Sequence, residues 1–241
     1  MLVKTKALVL KSVKYGDSDL IVTCYTLEGL KSYMVRGAFS VRSKKRKAAY
    51  FQPLTQLEVS AKHNDKGKLN SFREYKIDHH YQSIPTDVFK QSLVLFLSET
   101  LSKALKEQEA DVELHAFISQ ALIWLDQNEH YANFHLLFLL RLSRYLGFYP
   151  DTQNSDAPFF SLEEGTFVRH IPLSPHLEGQ KLEALKILIG TKFDALKSLK
   201  WNGELRNSLL ESLLQYYEFH VPGFKQPNSL QIFKEVFNEI A

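Results

Sequence analysis

Through residue 77 the apolar positions recur in short runs with a period of two, and from Val88 onward they recur at helical spacing. Leu8, Val9 and Leu10 centre a first strand and Leu20 to Tyr25 a second, with Tyr15-Gly16-Asp17-Ser18-Asp19 as the connecting turn. Glu28-Gly29 predicts a tight hairpin into a third strand that runs through Val35, with Gly29 placed for positive φ. The fourth strand alternates most cleanly: Thr55, Leu57, Val59 and Ala61 against Gln56, Glu58, Ser60 and Lys62, one face buried and the other wet. Asn64-Asp65-Lys66-Gly67 turns the chain into a fifth strand through Phe72, Tyr75 and Ile77. Five short strands in this span predict a small closed barrel, and the OB-fold is the commonest such barrel that binds single strands.

The period changes at Pro85. Val88/Phe89, Leu93, Phe96/Leu97, Leu101 and Ala104/Leu105 mark a helix behind Ser83 and Thr86 as possible caps. Asp111 is placed to cap a second helix that buries Leu114, Phe117/Ile118, Ala121/Leu122 and Leu125. A third, from about Asn133 to Leu146, is apolar nearly all round and ends at Gly147, so it should be central to a helical bundle. Residues 148–176 hold four prolines and read as an irregular excursion with one hairpin, Phe159–Phe167. Helical pattern resumes at Leu182–Ile189, Phe193–Leu199 and Leu205–Phe219, with a tail helix from Leu230. The class is α+β in two domains: residues 1–80 a five-stranded OB-fold barrel, residues 81–241 an all-α domain with the irregular insertion.

Charge sharpens that division. Residues 1–80 carry sixteen Lys/Arg against seven Asp/Glu, a balance of +9, and residues 81–241 carry fourteen against twenty, a balance of −6. The basic part is the candidate for nucleic acid or an anionic membrane. Between Lys31 and Lys47 stand Lys31, Arg36, Arg42, Lys44, Lys45, Arg46 and Lys47 with no acidic residue, and Tyr33, Phe39 and Tyr50 lie in or beside the run. A cationic loop on a small sheet with aromatic rings beside it suits a flexible polyanion whose bases stack. A lysine-rich loop taken alone is more often solvated surface.

Catalytic patterns are missing. The ten glycines form no phosphate loop, no serine sits in a nucleophile elbow, and the nine histidines show no metal spacing. His135, inside the apolar third helix, reads as a hydrogen-bonded core residue rather than a ligand. The single cysteine, Cys24, excludes an internal disulfide and a multi-cysteine zinc site, so no cofactor is expected. Lys4 and Lys6 precede only a short apolar run, and Phe134–Leu142 is too short to cross a bilayer, which predicts a cytoplasmic protein with no membrane partner.

Three stretches, TKALVLKSVKYGDSDLIVTCYT, GLKSYMVRGA and FQPLTQLEV, resemble the opening of the bacterial RecO family, and LRLSRYLGFYP resembles the segment that leads into that family's zinc motif. The resemblance implies an N-terminal OB-fold followed by a helical domain. It implies a nucleoid-associated recombination mediator that binds single- and double-stranded DNA, anneals strands, and acts with RecR to load RecA onto strands covered by SSB. It also implies a site for the acidic SSB C-terminal tail in the helical domain. Many members carry four cysteines where this chain has DTQNSDAPFFSLEEGTFVRH, so the segment should hold itself by packing, through Phe159, Phe160 and Phe167. An OB-fold RNA-binding factor with a helical interaction domain remains the alternative.

The residues expected to meet the strand are Arg42, Lys44, Lys45, Arg46 and Lys47, then Arg36 and Lys31, with Tyr15, Tyr33 and Tyr50 as stacking candidates. Parity puts Lys31, Tyr33 and Val35 on one face of the third strand and Met34 and Arg36 on the other. Tyr33 fits either the core or a stacking platform, and Tyr15 and Tyr50 either stack or close the barrel. Arg141 and Arg144 interrupt the apolar third helix and fit a partner's carboxylate, or else a neighbouring helix or solvent.

Overall fold

The alternating segments close on themselves. In the computed structural model, which describes residues 2–40, 47–63, 69–105 and 110–238, β1 (Leu2–Tyr15), β2 (Asp19–Thr26), β3 (Gly29–Val35), β4 (Gln56–Lys62) and β5 (Asn70–Ile77) form a closed barrel in the order β1-β2-β3-β5-β4. All neighbours are antiparallel except β3 and β5, which run parallel at Tyr33↔Asn70 and Met34↔Ser71. This is the five-stranded Greek-key barrel of the OB-fold. Val9, Val22, Cys24, Tyr33, Leu57 and Val59 fill its interior.

The register of β1 on β2 shifts between Val9 and Lys11, a bulge that takes Leu10 out of the ladder. The Leu10 carbonyl instead accepts from Ser98 and Ser102 Oγ, one turn apart on α1 (Val88–Ala104). The cap of α1 is Asp87, whose carboxylate accepts from the N–H of Phe89 and Lys90, rather than Ser83 or Thr86. Ser83 is drawn off by Asp126 at the end of α2 (Val112–Gln127). Asp111 caps α2 through Leu114 N–H at 2.9 Å, while Phe117 stays half-buried.

The face of β4 predicted to be wet is covered at Gln56, whose Nε2 donates to the Ser119 carbonyl of α2 at 3.1 Å and to Tyr81 Oη at 3.0 Å. Tyr25 also points out of the barrel, stacks on His115 of α2 and donates to the Asp111 carbonyl at 3.3 Å. The change from strands to helices falls between Ile77 and Val88. The compact units divide later, into Met1–Asp126 and Gln127–Ala241, because α1 and α2 pack on the barrel.

In the second unit α3 (Phe134–Tyr145) is buried from Phe134 through Leu140 and packs against α4 (Gly179–Gly190) and α5 (Gly203–His220), with α6 (Leu230–Asn238) against α5. Gly147, at φ 84°, ends α3: Phe148 N–H reaches the Ser143 carbonyl and Gly147 N–H the Arg144 carbonyl. That pair of bonds is the Schellman stop, and only glycine takes the left-handed turn without strain. The excursion contains the hairpin β6 (Phe159–Ser161) and β7 (Thr166–Val168), with β8 (His176–Leu177) added beside β6. Phe160 and Phe167 are buried 5.0 Å apart, Phe160 also edge-on to Tyr216, while Phe159 is half-buried edge-on to His176.

Candidate nucleic-acid interface

The basic run leaves and re-enters the barrel at one place. On leaving β3, Gly37 takes φ 63° and its N–H donates to Asp19 Oδ1 at 2.9 Å, and Phe39 N–H donates to the Ser18 carbonyl at 3.0 Å. The Gly37 bond holds the Asp19 carboxyl below the ordinary carboxylate range, helped by the Ser18 hydroxyl and the Arg36 guanidinium. On return, Lys47 opens a 3-10 turn, Lys47–Phe51, and its Nζ donates to the Arg36 carbonyl at 3.2 Å. The turn is fastened by its last residue, buried Phe51, whose carbonyl accepts from Ser12 Oγ at 2.8 Å. Both ends of the run are therefore pinned beside the β1–β2 turn. Arg42, Lys44, Lys45 and Arg46 lie outside the described residues.

Cross-strand partners share a face, so the register defines the barrel's outer surface here. Val13↔Ile21↔Met34 form an apolar row across β1, β2 and β3, and Lys11↔Thr23↔Ser32 lie behind it, the two hydroxyls 3.1 Å apart. Tyr15, 56% exposed, is the partner of Asp19 and so stands beside the exit of the run. Phe39 is 46% exposed. Arg36, exposed, follows β3 directly. The outer face thus offers apolar area, two accessible rings and cations, the materials of a single-strand platform.

The structure separates the expected residues. Tyr33 is a core residue: fully buried, stacked on Phe72 at 4.1 Å, with its hydroxyl 2.8 Å from His63 Nε2. His63 Nδ1 lies 3.0 Å from Glu28 Oε2, and burial pushes the Tyr33 hydroxyl pKa well up, so this ring stacks inside and is closed to a base. Lys31 shares Tyr33's side of β3 and stands five residues from Arg36, about 16 Å along the strand. Tyr50 is half-buried, edge-on to Tyr75 at 5.4 Å, and closes the barrel more than it projects. The sequence marks Phe39 as a ring within the run but not as a stacking candidate, and Lys11 and the Val13–Ile21–Met34 row are not singled out from it. Phe39 had a signal in its place within the run, whereas the row becomes visible only in the register.

In the second unit Arg141 is committed: its Nη2 donates to the Thr191 carbonyl at 2.7 Å and the Ile189 carbonyl at 3.5 Å, closing the C-terminus of α4. Arg144 is exposed, its guanidinium 4.4 Å from the centre of the Tyr149 ring. Among the described residues no three His, Cys, Asp or Glu side chains gather as a metal site, and Cys24 is buried in the barrel. The donors do not fit a zinc ion of the family kind. Among the described residues no helix is long and apolar enough to cross a membrane.

Two family models between them match most of the chain. Residues 1–81 match the family model "Recombination protein O N terminal", and residues 85–230 match "Recombination protein O C terminal". The chain is similar to the DNA repair protein RecO of Flavobacterium psychrophilum, 45% identical over 239 residues, which cover 99% of this chain and 100% of that protein. It is 35% identical over 245 residues to the protein of the same name from Bacteroides fragilis, with 99% and 100% covered. With that of Porphyromonas gingivalis the identity is 30% over 249 residues, at the same coverage.

Proposed function

The chain belongs to the RecO family of DNA repair and recombination proteins, and from that premise we propose that it is a non-enzymatic mediator. In this reading it binds single- and double-stranded DNA, anneals complementary strands and, with RecR, helps load RecA onto strands coated by SSB in the bacterial cytoplasm. The observation that carries the DNA part is the pinning of both ends of the basic run beside exposed Tyr15 and Phe39. Bases stack on those rings over the β1–β2–β3 face. Arg36, Arg42, Lys44, Lys45, Arg46 and Lys47 take the phosphates.

RecR, RecA and SSB enter through the family alone. For the acidic SSB tail, exposed Arg144 is the better carboxylate receiver, since Arg141 already serves the end of α4. Affinity for a thymine oligonucleotide tests the stacking face. Tyr15→Ala and Phe39→Ala should each cost roughly 1–3 kcal/mol, with Tyr15→Phe close to wild type. Wild-type affinity in both alanine variants would remove the platform.

A further inference from the structure

Arg206, in the second unit, is a buried cation with no counter-ion. It is 7% exposed near the start of α5, and its one bond runs from Nη1 to the Trp201 carbonyl at 2.7 Å, just ahead of that helix. Among the described residues no carboxylate pairs with it. Arginines this covered are almost always paired. Burial lowers its pKa, with no carboxylate to offset that. A guanidinium has five N–H groups, and one bond leaves four without a partner among the described residues. They are not sealed in. Four buried side-chain atoms among the described residues lack a partner, and none of them belongs to Arg206, so its unbonded nitrogens reach solvent.

Its place in the fold sharpens the need for an anion. The N-terminus of an α-helix carries about half a positive charge, which disfavours cations there. α5 starts behind the cap Asn202, whose side chain accepts from Leu205 N–H at 2.9 Å and whose carbonyl accepts from Arg206 N–H at 3.1 Å. The N–H groups of Gly203 and Glu204 have no partner among the described residues. Exposed Lys200 stands just ahead of the cap, with exposed Lys192 and Lys197 before it, and none of the three is in an ion pair among the described residues. This stretch is held in place by Asn133, whose Nδ2 donates to the Leu199 carbonyl at 2.9 Å. The acidic side chains of the stretch, Asp194 and Glu204, are exposed, and Glu204 lies two positions from Arg206, hence on another side of the helix.

More donors stand at this helix end than the two oxygens of a carboxylate satisfy, whereas a terminal phosphate brings three acceptor oxygens and up to two charges. Guanidinium groups and helix N-termini are both phosphate binders. An internal phosphodiester, with a sugar on either side, is too broad to reach a guanidinium covered to this degree. Half-buried Trp201 makes no ring contact among the described residues, which leaves its indole for a base. We propose that Arg206, Lys200 and the first turn of α5 bind the terminal phosphate of a nucleotide. It arrives either at the end of a strand or as free nucleotide, and only the first source rests on the DNA-binding reading.

The test uses the full chain, titrated with dTMP and with a thymine oligonucleotide that ends in phosphates or in hydroxyls. Arg206→Gln removes the cation and keeps a donor for the Trp201 carbonyl, and Lys200→Glu reverses an exposed charge. Affinity for dTMP should fall roughly ten- to a hundredfold in Arg206→Gln and roughly three- to tenfold in Lys200→Glu. A preference for the phosphate-ended strand that both variants weaken identifies the strand end as the source. Binding of dTMP with no such preference identifies the free nucleotide. Neither signal in the wild type, or signals unchanged in the folded variants, overturns the site. If Arg206→Gln loses its unfolding transition, Lys200→Glu alone decides. An acidic peptide that binds through Arg206 where dTMP does not would assign the place to a protein and overturn the proposal. A wild type that takes dTMP but holds no strand would remove the DNA reading and leave the phosphate site standing.

Discussion

His135 is an imidazole set among phenyl rings. It is 1% exposed on α3, edge-on to Phe233 at 5.0 Å and Phe237 at 5.6 Å from α6, and its Nδ1 has no partner among the described residues. The sequence places it in the core, as found, but implies a hydrogen bond that Nδ1 does not make. Burial, with Arg206 adding to it, pushes its pKa down to about 3. Folding therefore lowers this pKa from its ordinary value near 6.5. Above about pH 7 both states hold the ring neutral and nothing is lost. As pH falls below 6.5 the unfolded chain takes up a proton that the folded chain does not, so stability declines toward the folded pKa. The decline reaches about 2 kcal/mol by pH 5. Replacing His135 by Leu should remove that part of the pH dependence, as read from urea unfolding at pH 7.5 and pH 5. An equal decline in wild type and variant would exonerate His135.

At the scale of elements, α2 shows what the hydrophobic pattern conveys and what it omits. Its last turn is fastened by Asp126, whose carboxylate accepts from the N–H groups of Gln82, Ser83 and Ile84 at 2.9–3.0 Å. Burial pushes that carboxyl's pKa up, and the three N–H bonds outweigh it and hold it below the ordinary range. Asp126→Ala leaves those donors unanswered and should cost roughly 3 kcal/mol, with Asp126→Asn retaining part. Urea midpoints of the full chain measure this, and an unchanged midpoint for the alanine variant would deny the anchor.

Nothing local announces the role. Strands, the Asp111 cap and the Gly147 stop were legible because each has a cause within a few residues. A pattern shows which face is apolar, but not which distant element covers a polar one. Gln56, Tyr25 and His115 are accordingly buried where α2 meets the barrel. Ser83, Thr86 and Asp87 are all cap types, and the choice fell to Asp87 because Asp126 recruits Ser83. In the candidate site the cations were legible as a run of charge. The buried side of β3 was not, because parity separates two faces without saying which points inward. That ambiguity is why Tyr33 fitted two places.

Across the whole molecule the charge split is the central fact. The balance is +9 over residues 1–80 and −6 over residues 81–241, and five of the sixteen cations of the first part fall between Arg42 and Lys47. If Arg42, Lys44, Lys45, Arg46 and Lys47 neutralise about four phosphates, the logarithm of single-strand affinity should fall with log salt at a slope near −3. The decisive measurement is that slope for the wild type and for a variant with all five replaced by alanine, each shown to retain its unfolding transition. The predicted result is a slope near −3 that flattens markedly in the variant. An unchanged slope in a folded variant would mean that the run is solvated surface and that the strand is held elsewhere.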